Sequence, residues 1–443
     1  MEKILKILIL LMSFGVLNAQ ELLTLGDAIR VTIEKNHDIR ISALDTLVSA
    51  NNATAGNAGL LPRVYATGGY DYSENNTDLD VSLFNPDGSQ TLTSISVDNA
   101  ETETLSASIN VEYTLFDGLG GYHRLSLLKN VNEATQLQTQ FLIENTVLNT
   151  VFLYLNVATQ QANLTISSEQ LDISNERLKR AESQFNFGAG NRTSVLNAQV
   201  AVKNDSASLR QNQLKYKTAQ ADLNAYMGRD PKNAFSVVED IDFFPLIDKE
   251  ALEKQVLENN IRLKLTREGL EISENELMVD KAERYPKLFL NGGYSYLDQT
   301  NEAGLLVGQQ LDGWNVGLGL RINIFDGNRV KRSIQNAKIA IDQEKLRTDQ
   351  TRLLVLRDFE NSYTEYIQAL SDLEIERSNI QTFQQNYERS ALDYKNGQIT
   401  NTQLREAQLD LSSAKFRIIT AKYTVKQKEA ELLQLSGAML NIK

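Results

Sequence analysis

Residues 184–199 read QFNFGAGNRTSVLNAQ, and residues 393–408 read DYKNGQITNTQLREAQ. The two stretches lie 209 positions apart and share a frame: Phe185/Tyr394, Gly188/Gly397, Thr193/Thr402, Val195/Leu404, Ala198/Ala407 and Gln199/Gln408. Each glycine closes a tract with no other helix breaker, because the sixty-five residues 123–187 and the sixty-nine residues 328–396 contain neither glycine nor proline. At about 1.5 Å per residue each tract predicts a helix near 100 Å long, where globular helices average about a dozen residues. No compact core covers such rods.

The segments after the glycines specify how the rods pack. Leu404, Leu411, Ile418, Val425 and Leu432 recur every seven residues, with Ala407, Ala414, Ala421 and Leu435 in the companion row, broken at Lys428. Val195, Val202, Leu209, Tyr216 and Leu223 repeat the pattern after the first glycine. This is an a/d heptad seam, the signature of left-handed supercoiling. Both glycine turns therefore join two long antiparallel helices, in preference to a merely solvated polar pair.

Other segments have period two. Leu105, Ala107, Ile109, Val111, Tyr113 and Leu115 alternate with Ser106, Ser108, Asn110, Glu112 and Thr114; Val316, Leu318, Leu320, Ile322 and Ile324 alternate with Gly317, Gly319, Arg321 and Asn323. Such alternation predicts strands with one apolar and one polar face. Two weaker strands, 64–72 and 288–296, each hold a GGY triplet. Strands of about ten residues with this pattern suit a transmembrane barrel, with Tyr113 and Trp314 as candidate interface aromatics, and segments 73–103 and 297–313 as long outer loops. Four strands cannot close alone, and open edges are untenable in lipid, so closure needs other copies of the chain. A soluble sandwich is the competing reading.

Composition narrows the chemistry. The 443 residues include no cysteine, two histidines (His37 and His123), five prolines and one tryptophan, with a net charge of −12. That leaves little for thiolate or histidine metal sites or for a Ser-His-Asp arrangement, so no catalytic residue, metal or cofactor is expected; the acidic balance argues against nucleic acid. Residues 1–19 read as a secretory signal, with Lys3 and Lys6 before an apolar run and small residues ending at Ala19. Beyond it no stretch approaches the ~18–20 apolar residues of a membrane-crossing helix. The absence of cysteine removes a lipidated N-terminus.

The pieces recur in order. LPRV at 61–64 answers YPKL at 285–288, LFDG at 115–118 answers IFDG at 324–327, and Asn36 and Asn259 end comparable helical openings. The expected organisation is a first repeat, 20–228 (strands about 64–72 and 104–116, long helix about 120–187, helix about 192–227); an equatorial linker, 229–260; a second repeat, 261–436 (strands about 287–297 and 314–325, long helix about 328–396, helix about 400–436); and a tail, 437–443.

With duplicated halves, LPRV/YPKL before strands, FDG after strands and FNFG-x4-TSVLNA at the first turn, the mature chain resembles the TolC family of outer-membrane efflux proteins. The resemblance implies an α+β membrane protein in which each protomer of a homotrimer gives four transmembrane strands to one 12-stranded β-barrel. A long α-helical coiled-coil barrel with an equatorial collar would continue that barrel through the periplasm. It implies a passive exit channel for efflux or type I secretion in the outer-membrane lipid, coupled through a periplasmic membrane-fusion adaptor to an inner-membrane pump of RND or ABC type. A non-channel periplasmic coiled-coil adaptor or scaffold is the alternative. By the same resemblance Phe185, Gly188, Gly190, Asn191, Tyr394, Gly397 and Thr400 form adaptor-docking tips, and Thr193, Ser194, Gln403 and Glu406 line an aperture. Glu406 matches an acidic place of the family, whereas Gln403 and Ser194 stand where relatives carry Asp. A local role for Glu406, complementing the helix N-terminus in its first turn, stays open. The basic residue expected two after Gly397 is Ile399, with Arg192 and Arg405 as candidate substitutes.

Overall fold

The computed structural model describes residues 21–84, 86, 88–241, 243, 248–303 and 306–441. The expected signal segment, residues 85 and 87 of the segment 73–103, residues 304–305 of the segment 297–313, and residues 242 and 244–247 of the expected linker lie outside them. The elements in chain order are β1 (Glu21–Leu23), α1 (Leu25–Lys35), α2 (His37–Asn52), β2 (Arg63–Phe84), β3 (Gln90–Phe116), α3 (Gly120–Asn186), α4 (Arg192–Tyr226), β4 (Phe235–Val237), α5 (Lys249–Asn259), α6 (Ile261–Ala282), β5 (Lys287–Asn301), β6 (Gly308–Arg321), α7 (Arg329–Lys395) and α8 (Asn401–Leu435). A 3-10 turn, Met439–Asn441, follows. α3 and α7 both have 67 residues, α4 and α8 both have 35, and each pair is offset by 209.

The chain forms two compact units. One, mostly helical, comprises residues up to Thr46, Thr135–Arg267 and Arg347 onward; the other, holding the large sheet, comprises Leu47–Ala134 and Glu268–Leu346.

In the helical unit, short parallel strands β1 and β4 pair Leu23 with Val237. They cap a core of Leu23, Ala28, Val151, Tyr154, Leu223 and Phe235, all almost fully buried. The buried Tyr154 hydroxyl lies 3.0 Å from the carbonyls of both Leu23 and Val238, so it satisfies strand backbone inside the core. A second core gathers Leu252, Val256, Val355, Phe359, Val425 and Leu432. The heptad rows face inward as expected: Leu404, Ala407, Leu411, Ala414, Val425 and Leu432 are buried.

Two asparagines make equivalent joints. Asn36, between α1 and α2, donates from Nδ2 to the Tyr226 carbonyl at 2.8 Å; Asn260, between α5 and α6, does the same to Leu435 at 2.9 Å. Gly228 and Gly437, both with φ near +70°, pass against these joints so closely that a Cβ would fall 2.6 Å from Lys35 O and 2.9 Å from Asn259 O. Asn260, not Asn259, is therefore the counterpart of Asn36. The second succession of elements begins at Lys249 rather than 261, because Asp248 caps a helix whose Leu252 and Val256 are buried.

In the sheet unit the strand order is β2-β3-β5-β6, all antiparallel, with β2 and β6 at the edges. β2 and β3 are 22 and 27 residues long, so 73–103 is mainly strand, not loop. β3 pairs β5 only from Thr102 onward, so the remainder of the β2–β3 hairpin is a two-stranded ribbon. β5 and β6 likewise extend to Asn301 and from Gly308, and β6 stops at Arg321, leaving 322–325 outside the strand. Trp314 consequently sits in mid-strand opposite Tyr294, not at a strand end.

The FDG motifs act as helix starters. Asp117 Oδ2 accepts from Gly121 N at 2.8 Å and Asp326 Oδ2 from Val330 N at 2.9 Å, placing a carboxylate on the first free amides of α3 and α7. One sequence expectation is corrected by α3: it contains an 18-residue window of mean hydropathy 1.3, long and apolar enough to cross a membrane. Half of that window is buried, and Val147, Val151, Tyr154, Leu155 and Ala158 of α3 belong to the core of the helical unit.

Candidate functional site: helical tips and sheet faces

The turn between α3 and α4 has Gly188 at φ +77°, with Gly188 N donating to Phe185 O at 3.0 Å and Ala189 N to Gln184 O at 2.8 Å. The turn between α7 and α8 repeats it: Gly397 at φ +72°, Gly397 N to Tyr394 O at 3.1 Å and Gln398 N to Asp393 O at 2.9 Å. A left-handed residue that redirects the chain while satisfying the last helix carbonyls favours glycine at both places.

The residues beyond differ in kind. Asn191 caps α4 by accepting from Ser194 N at 2.8 Å and Ser194 Oγ at 3.0 Å. Thr400 caps α8 in a reciprocal box: Thr400 Oγ1 accepts from Gln403 N at 3.3 Å, and Gln403 Oε1 accepts from Thr400 N at 2.8 Å. Ser194 and Gln403, expected at an aperture, thus spend their side chains on local capping. Thr193 and Glu406 are exposed. Glu406 lies beyond the first turn of α8, which starts at Asn401, so the local dipole role is not supported. Gly190 is packed tightly, 3.1 Å from Gln184 Cβ to where its own Cβ would be, and Phe185 is partly exposed beneath the Arg192 guanidinium at 5.9 Å. Tyr394 is half-buried.

Sequence reading missed a buried polar network further along the helices. Arg405 of α8 makes a bidentate pair with Asp205 of α4, at 2.6 and 2.8 Å, and also donates to Ser174 Oγ of α3 at 3.0 Å. Gln170 donates to Asp205 at 2.8 Å. Arg177 of α3 donates to Asn401 Oδ1 and to Gln408 Oε1, both at 2.9 Å. The Asp205 side chain is 3% exposed and that of Arg405 17%. Three of the four long helices are thereby fixed in one register. Arg405 is fully engaged here and does not replace the basic residue missing at 399.

On the sheet, register sorts the faces. Ala107, Ile109, Val111 and Tyr113 share one face with Leu290, Val316, Leu318 and Leu320, and that face is largely exposed. The same face carries Tyr70, Tyr72, Tyr294, Tyr296 and Trp314, an aromatic set of which only Trp314 was expected. Its period-two spacing within the GGY-x-Y runs was the available signal. The opposite face is polar: Thr67 and Ser108 hydroxyls meet at 2.7 Å, and Tyr65 donates to Glu112 at 2.7 Å. Among the described residues no group of three or more His, Cys, Asp or Glu side chains is arranged to hold a metal ion.

Comparison with known proteins agrees with this geometry. The Outer membrane efflux protein family profile matches residues 28–229 and 252–438. The outer membrane efflux protein BepC of Brucella suis biovar 1 (strain 1330) is 21% identical over 431 residues, covering 97% of this chain and 89% of BepC. The CmeC outer membrane channel of Campylobacter jejuni superposes with a TM-score of 0.75 at 15% identity, covering 94% of this chain and 86% of CmeC. VceC of Vibrio cholerae gives a TM-score of 0.71 at 14% identity, covering 93% and 96%. With a match spanning nearly all of both successions of elements, this chain belongs to the outer membrane efflux protein family, and its place is the outer membrane and the adjoining periplasm.

Proposed function

We propose that three copies of the chain close into one twelve-stranded barrel, four strands from each, and that their long helices continue it as a hollow α-barrel with a collar around β1 and β4. The observation that carries this reading is the sheet itself. Its edge strands β2 and β6 are each paired on one side only among the described residues, and one face is apolar and exposed. In lipid every strand edge must be paired, and a ring of copies is the arrangement that pairs them. The equal lengths and the constant offset of 209 support an internal duplication.

In this reading the protein is the passive duct of a tripartite efflux or type I secretion system. Phe185, Gly188, Gly190, Asn191, Tyr394, Gly397 and Thr400 form the periplasmic tips that dock an adaptor, and an inner-membrane pump of RND or ABC type supplies the energy. The exposed Glu406 is assigned to the aperture as a ring of three carboxylates, flanked by Thr193, Ser194 and Gln403. Outer-membrane placement removes support from the periplasmic scaffold alternative.

Cell fractionation and planar-bilayer recording test the reading together. A detergent-requiring, heat-modifiable trimer with single-channel currents supports it; release with the soluble periplasm overturns it. Glu406→Gln is expected to alter conductance or cation preference without disturbing the trimer. Unchanged currents would remove Glu406 from the aperture.

A further inference from the structure

The four strands of the large sheet carry basic residues at one level only. No Lys or Arg occurs between Arg63 and Arg124, while that stretch holds ten Asp and Glu residues; none occurs between Lys287 and Arg321, where Asp298, Glu302 and Asp312 lie. The basic residues of the sheet are the first residues of β2 and β5 and the last of β6. All three share the polar face, with Lys287 directly opposite Arg321 and Arg63 opposite Glu112.

Like charges facing across a strand pair are unfavourable and normally answered by a carboxylate. Lys287 has that answer in Glu283 at 2.6 Å. Arg321 and Arg63 do not: among the described residues neither makes an ion pair, and Glu112 is taken by the Tyr65 hydroxyl. Each guanidinium instead lies over a ring, Arg63 over Tyr65 at 5.1 Å and Arg321 over Phe289 at 5.2 Å. Stacking orients the planar fork and leaves its N–H donors free for a carboxylate or phosphate. The surface beside Arg321 is open, since a Cβ on Gly317 or Gly319 would meet nothing within 4 Å.

The two free guanidinium groups stand on opposite edges of the sheet, at the same strand end. We propose that, where β6 of one copy meets β2 of the next, Arg321 and Arg63 of the partner subunit together form an anion seat at the base of the barrel. It takes the carboxylate or phosphate group of a solute in the duct. The seat rests on the trimeric-barrel reading above, because neither copy alone completes it. Within the four-stranded part the polar face carries Asp71 and Glu112 among the described residues, whereas Glu103, Asp298 and Asp312 lie on the apolar face, so the basic level is where the polar face favours anions and sets how anionic cargo enters the barrel.

The test is planar-bilayer recording of the full-length trimer under a potassium chloride gradient, with inorganic triphosphate as probe. The wild type is expected to show concentration-dependent block by triphosphate. The Arg63→Gln/Arg321→Gln double variant should lose block at least tenfold and raise its potassium-to-chloride permeability ratio about threefold. Arg63→Lys/Arg321→Lys, which keeps charge but not the fork, should retain the ratio and weaken the block, and it replaces the glutamine pair if that pair fails to trimerise. Block and selectivity unchanged in the variants overturn the seat while leaving the channel reading intact. A correctly assembled trimer without current overturns the channel reading itself. Effects seen only in bilayers containing anionic lipid would assign the guanidinium groups to headgroups and likewise overturn the seat.

Discussion

The two helical hairpins have equal lengths and the same turn, yet their seams are built of different material. At corresponding positions α4 carries Ala198, Asp205, Asn212 and Ala219, where α8 carries Ala407, Ala414, Ala421 and Lys428. Asp205 is buried with Arg405, and Asn212 reaches the Ser167 hydroxyl, whereas Ala414 is buried without polar contact. Arg405 in turn corresponds to Leu196, which is 47% exposed. The two hairpins thus share spacing and turn chemistry, while the buried polar groups differ between corresponding positions. A buried pair of this kind adds little stability over an apolar seam but strongly penalises misregister, since a slip strands a charge.

The largest test of that contrast is Asp205→Ala, which leaves the Arg405 guanidinium buried without its carboxylate. It should cost about 3–5 kcal/mol, read by denaturant unfolding of the purified protein. A loss under about 1 kcal/mol would mean that the network does not hold the register.

Glu144 offers a second asymmetry, because its counterpart Leu353 is 70% exposed while Glu144 itself is 2% exposed. Burial pushes the Glu144 carboxyl from an ordinary 4.5 up to about 7, with Gln140 and Lys264 only partly opposing. The folded protein therefore holds this proton where the unfolded chain releases it, and stability falls as pH rises from about 4.5 to about 7. The contribution is of the order of 3 kcal/mol. Glu144→Gln should flatten that part of the stability–pH curve and stabilise the protein at pH 8; an unchanged curve would show that the carboxyl is not protonated in the fold.

The turns should respond alike. Gly188→Ala and Gly397→Ala each put a side chain at positive φ with nothing within 4 Å, so each should cost about 1 kcal/mol from backbone strain alone. A markedly larger stability loss for one would show that the two tips differ in their packing. Smallest are the caps: Asn191→Ala and Thr400→Ala should each cost roughly 0.5–1 kcal/mol, visible as faster amide exchange in the first turns of α4 and α8.

Much of the fold was legible because its determinants are local. Glycine-free and proline-free tracts gave the two 67-residue helices, the heptad rows gave the buried seam, and the alternation in 105–115 gave a strand. The ribbon beyond Asn75 was not legible. It lies outside the four-stranded part, and its short Ser, Thr and Asp residues weaken the contrast between faces that period-two reading depends on. The capping duty of Ser194 and Gln403 was hidden for a different reason, since the same residue types suit an aperture and a helix start.

The amino-acid order by itself determined the type and length of the long helices, the paired glycine turns and the alternating segment 105–115. Those follow from backbone propensity and side-chain period, both read within a few residues. Only the tertiary structure decided that Arg405 meets Asp205, that Asn36 and Asn260 seat matching joints, and that Arg63 and Arg321 stand on opposite edges of one sheet without an ion pair among the described residues. Each of these depends on the register between elements distant in sequence, and register is settled by packing summed along whole helices and strands.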